Sequence, residues 1–148
     1  MTIHEAIKYY KVKNKNGITA YKAVNPTKVQ LSQVIEEPLK GNYHLSMVFS
    51  KDDKATDLDF LVNALKALEY DTLNDISEEL SSYNLESYSF KEFIKEVWFL
   101  TTKEILTVNS IIEENCNLIY KLKDKDELTF LIQTKTHYVF VQEIYWKS

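Results

Sequence analysis

The chain has 148 residues, a formal net charge of −4, 45% apolar and 27% charged residues, two glycines and two prolines. That composition excludes disorder and low complexity, and a chain of this size buries about 70% of its unfolded surface, enough for one domain with a real core. No run of about 18 apolar residues is present to cross a membrane as a helix, and the opening MTIHEAIKYY lacks the apolar region of a secretory signal, so a cytoplasmic location is expected.

All 18 basic residues are lysine. Abundant lysine, asparagine and isoleucine read as an AT-rich coding bias, of the kind found in a low-GC bacterium, a phage or another mobile element. The chemistry is also restricted: without arginine there is no planar fork for phosphate, carboxylate or guanine, and no arginine finger for phosphoryl transfer.

In chain order, Lys8–Val24 reads as a β-hairpin turning at Asn16-Gly17, a pair suited to a type I′ turn. The alternative is a short helix through Tyr10 capped by Thr2-x-x-Glu5. Asn25-Pro26 then resembles the start of a helix carrying Leu31, Val34 and Ile35, with Pro38 ending it. Gly41-Asn42 turns the chain. Tyr43, Leu45, Met47 and Phe49 alternate, which predicts a half-buried strand.

Thr56-x-x-Asp59 predicts a capped helix with Leu58, Leu61, Val62, Leu65 and Leu68 inward. Thr72 starts a second helix, with Leu73, Ile76 and Leu80 inward. Residues 81–87 read as a loop. Ser89-x-x-Glu92 caps a third helix bearing Phe90, Phe93, Ile94, Val97 and Trp98. Residues 104–112 suit strand or helix equally. Three strands follow, around 118–122, 128–132 and 138–146, forming an antiparallel meander.

The expected fold class is α+β: a single two-layer domain over residues 1–148, with an N-terminal β-hairpin and strand, central helices, and a three- or four-stranded C-terminal meander. Leu118, Tyr120, Leu122, Leu128, Phe130 and Ile132 are expected on the face that covers the helices, with Tyr138, Phe140, Ile144 and Trp146. The opposite face, with Ile119, Leu131, Val139, Val141 and Tyr145, is too apolar for solvent and calls for cover from the N-terminal strands or a partner. The C-terminal strand, read as a sheet edge, offers a route to a homodimer.

Charge is separated along the chain. Residues 1–28 hold six lysines and one acid; residues 51–100 hold five lysines and twelve acids. The first group interleaves aromatics: Lys8, Tyr9, Lys11, Lys13, Lys15, Tyr21 and Lys22. Such a surface neutralises phosphates and stacks bases, or simply guards a sheet edge. The second includes Asp52, Asp53, Asp57, Asp59, Asp71, Asp75, Glu78 and Glu79. Several fall at helix starts, where the dipole alone favours them.

Catalytic motifs are scarce. The three histidines lie far apart, no zinc spacing or glycine-rich phosphate loop occurs, and Gly-x-Ser-x-Gly is absent. Cys116 excludes an intrachain disulfide by being alone; it reads as an apolar filler, with a nucleophile–base pairing to His137 as the remote alternative. No catalytic residue, metal site or cofactor is expected. The expected function is non-enzymatic binding of another protein through an acidic face, as in a phage or mobile-element inhibitor of a host nucleic-acid-handling or defence enzyme. The alternatives are a single-strand nucleic-acid binder using the lysine–tyrosine hairpin, and a small enzyme or ligand-binding protein with an aromatic-lined pocket.

Overall fold

The computed structural model describes residues 2–8, 29–39, 42–70, 72–97, 116–123 and 127–145. It is an α+β structure, and the chain gathers into two compact units: Met1–Gln30 with Lys51–Asn84, and Leu31–Ser50 with Leu85–Ser148.

The first unit is helical. Residues 3–8 form α1, with the Thr2 hydroxyl accepting from the Glu5 amide at 3.1 Å and Ile3, Ala6 and Ile7 buried along one side. The helical alternative therefore holds for residues 3–8, because the cap and the i, i+3, i+4 apolar side agree locally. The rest of the expected hairpin, residues 9–24, lies outside the described residues.

α2 (Asp57–Ala67) begins at the expected box: the Thr56 hydroxyl accepts from the Asp59 amide at 3.3 Å, and the Asp59 carboxylate accepts from the Thr56 amide at 2.9 Å. Leu58, Phe60, Leu61, Val62, Ala64 and Leu65 are all buried, so the helix is apolar nearly all round rather than along one stripe. It ends in a Schellman motif: Tyr70 N–H reaches Leu65 O and Glu69 N–H reaches Lys66 O, with Glu69 in the left-handed region at φ 69. α3 (Leu73–Ser81) starts at Thr72 as expected, packs against α2, and buries Ile76 and Leu80.

The second unit is built on an antiparallel sheet of order β1-β2-β6-β5-β4-β3: β1 (Val29–Leu39), β2 (Asn42–Lys51), β3 (Leu85–Tyr88), β4 (Cys116–Leu122), β5 (Leu128–Thr134) and β6 (His137–Tyr145). The C-terminal meander β4-β5-β6 is as predicted. The β5–β6 turn is held by Thr134, whose hydroxyl accepts from the His137 amide at 2.9 Å and donates to the His137 carbonyl at 3.1 Å.

Several expectations are corrected. Residues 29–39 are strand, not helix. Their i, i+3, i+4 apolar spacing is realised on a ribbon whose Leu31 and Val34 point to opposite sides, 46% and 49% exposed. Pairing with β2 overrides the local helical signal, and Pro38 is tolerated because β1 is terminal in the described sheet. β2 is buried on both sides from His44 to Phe49, not half-buried, and on one of them Val48 joins the cluster around Phe93. Residues 85–88 are strand β3, paired with β4, rather than loop. β6 is internal, between β2 and β5, so the route to a homodimer through a C-terminal edge is lost. Residues 104–112 and Trp98 lie outside the described residues.

The meander faces are also regrouped. Ile119 pairs with Ile132, Ile132 with Val139, and Phe130 with Val141, so Phe130 and Ile132 share the face of Ile119, Val139 and Val141. Leu131 lies on the other side with Tyr120 and Phe140. What covers the first face is the chain itself: α4 (Phe90–Val97) sets Phe93 into Val48, Ile119, Phe130, Ile132, Val139 and Val141. The Phe93 and Phe130 rings meet edge to face at 5.0 Å. α4 carries the expected Ser89/Glu92 box, both bonds at 3.1 Å.

Candidate functional site

The acids of residues 52–79 divide by burial. Asp57 and Asp59, expected on an exposed face, are each 3% exposed. Asp59 is consumed by the cap of α2. Asp57 lies in the same first turn and favours the charged form of Lys51, against the burial that lowers that lysine's pKa. Asp52, Asp53, Asp75 and Glu78 are exposed, and Glu79 is half-buried. Asp52 also accepts from the Lys54 amide at 2.7 Å, fixing the turn before α2. Asp71 lies outside the described residues. On α3, Asp75 and Glu78 are one turn apart on the side away from Ile76 and Leu80, and the helix contains no lysine.

Of the basic group, Lys8 is exposed within α1; Tyr9, Lys11, Lys13, Lys15, Tyr21 and Lys22 lie outside the described residues.

The chemistry-bearing cluster that sequence reasoning missed is on β2 and β6. His44 stands directly opposite Glu143, and its Nδ1 contacts Glu143 Oε1. Its Nε2 is 2.7 Å from Ser46 Oγ, two residues along the same strand. Exposure is 2% for His44 and 0% for Ser46 and Glu143. The three share the face that carries Val48, Val139 and Val141. A neutral imidazole beside an ionised carboxylate, which only accepts, would carry its proton on Nδ1 and leave Nε2 to accept from the serine hydroxyl. The signal was faint: His44 and Ser46 interrupt an apolar strand at even spacing, which puts both on one face, but Glu143 is 99 positions from His44.

A second polar group ties α4 to the sheet. Tyr88 Oη donates to Glu96 Oε1 at 2.9 Å, and Lys121 Nζ reaches both at 3.3 Å. Burial first, then the bond to Glu96, raises the Tyr88 pKa, so this phenol is held protonated rather than activated as a base.

Cys116 faces Thr134 across β4 and β5, and burial pushes its thiol pKa up, away from the thiolate a nucleophile needs. His137 Nδ1 is 2.7 Å from the Thr136 hydroxyl. Among the described residues no group of three or more His, Cys, Asp or Glu is placed to hold a metal, and no helix is long and apolar enough to cross a membrane. Comparison with known protein families, with curated proteins and with solved structures finds no match to this chain.

Proposed function

We propose that the protein works by binding another protein through the anionic side of α3 and the turn before α2. The observation that carries this reading is the exposed Asp75–Glu78 ridge on a helix with no lysine. Residues 51–84 hold nine acids against three lysines, so the field around these side chains is negative. Carboxylates at one-turn spacing imitate successive phosphates, and the fitting partner is the basic groove of a nucleic-acid-handling or defence enzyme. An arginine-free chain of AT-rich coding suits a phage or mobile element that inhibits such a host enzyme. Charge of this kind steers the encounter and sets its salt dependence more than it sets affinity.

The test is capture from a low-GC bacterial lysate with the wild-type chain and with a variant carrying Asp53→Lys, Asp75→Lys and Glu78→Lys. These three carboxylates are exposed, so the fold is expected to survive. Captured protein that disappears with the variant and with added salt supports the reading. Capture that is unchanged in both rejects it.

A further inference from the structure

We propose that Ser46 is an acyl-accepting nucleophile, with His44 as its base and Glu143 as the residue that positions His44. This is independent of the acidic surface. The order carboxylate, imidazole, hydroxyl is the one in which a serine loses its proton as it attacks, and it is recognised by geometry rather than by sequence order. The geometry is met here: Glu143 Oε1 contacts Nδ1, Nε2 faces the hydroxyl at 2.7 Å, and Ser46 extends from the same strand as its base. The surrounding face is aliphatic, with Val48, Val139 and Val141. Three polar side chains in such a place carry a desolvation cost that valines would not, and hydrogen bonding among themselves only offsets it.

The acyl donor is a small activated ester. Ser46 Oγ attacks its carbonyl carbon, forming the new O–C bond, while the hydroxyl proton passes to His44 Nε2. The tetrahedral centre collapses, the bond to the leaving oxygen breaks, and His44 delivers the proton to that oxygen. The products are an acyl-serine and an alcohol, with no change in oxidation state. Burial of all three side chains has two effects. It restricts the donor to a small acyl group, and it keeps water from the ester once formed. The outcome is a single modification per chain rather than turnover.

The folded protein is incubated with p-nitrophenyl acetate and, separately, with a small alkyl fluorophosphonate, and adducts are located by peptide mass spectrometry. An adduct on Ser46 is expected with both reagents, beside the lysine acetylation that the ester gives in any chain, and it is absent from Ser46→Ala. Glu143→Gln is expected to slow its formation about 100-fold or more, the lower range of what a positioned base contributes. The same reagents on the wild-type chain in guanidinium should leave Ser46 unmodified, because the unfolded serine has no base. No Ser46 adduct on the folded chain, or equal modification of the unfolded chain, overturns the proposal. That comparison decides the matter by itself if Glu143→Gln does not fold.

Discussion

His44 and Glu143 face each other directly across β2 and β6, and their contact closes the seam between β2 and the C-terminal meander. Both are buried, so each is satisfied only by the other and by its neighbours. Removing one partner leaves the other short of a buried hydrogen bond. His44→Ala or Glu143→Ala is expected to cost about 3–5 kcal/mol, whereas the paired apolar replacement His44→Leu with Glu143→Leu costs far less than the sum. Urea unfolding of the two singles and the double measures this; additive losses would show that the pair is not coupled.

Phe93 is the residue through which α4 holds the sheet. It is buried against Phe130 and the aliphatic face around it. Phe93→Ala should destabilise by about 3–5 kcal/mol through lost contact and the cavity left behind. The urea midpoint reads this directly, and a loss under 1 kcal/mol would mean that α4 docks by other contacts.

Glu69 occupies the left-handed position that ends α2. A side chain there costs about 1–2 kcal/mol, and the gain from glycine is reduced by the freer unfolded chain. Glu69→Gly is therefore expected to raise stability by about 0.5–1 kcal/mol. A thermal midpoint that falls would show that the Glu69 side chain makes a stabilising contact of its own.

The Tyr43 phenol is pushed up to about 12, first by burial and then by its hydrogen bond to the Glu36 carboxylate, which links β2 to β1. Because the folded pKa lies above the unfolded value of 10.0, the contribution is complete below pH 10 and is lost as pH climbs towards 12. Tyrosinate absorbance should show late-ionising phenols, and Tyr43→Phe should remove one of them. A Tyr43 that titrates with the exposed tyrosines would contradict the Glu36 bond.

Features settled by a few neighbouring residues are legible in the sequence. Thr56, Thr72 and Ser89 cap the helices they were expected to cap, because a cap is settled within four residues. Non-local facts were not legible. Alternation shows that Phe130 and Ile132 share a side but not whose side it is; that depends on the register against β4 and β6. β1 failed for the same reason, since its apolar spacing fits helix or strand until β2 supplies hydrogen bonds. Strand β3 has four residues, too few for a period to appear. Ser46, His44 and Glu143 meet only when strands far apart in sequence pair, so no motif search finds them.

The position of β6 has a consequence for biosynthesis. The strand that seals the inner margin of β2, residues 137–145, is made more than eighty codons after β2 itself. Throughout that interval Met47, Phe49 and their neighbours have no final home, and contacts of such sequence separation form slowly. The nascent chain is therefore exposed to misassociation on the ribosome until β6 emerges.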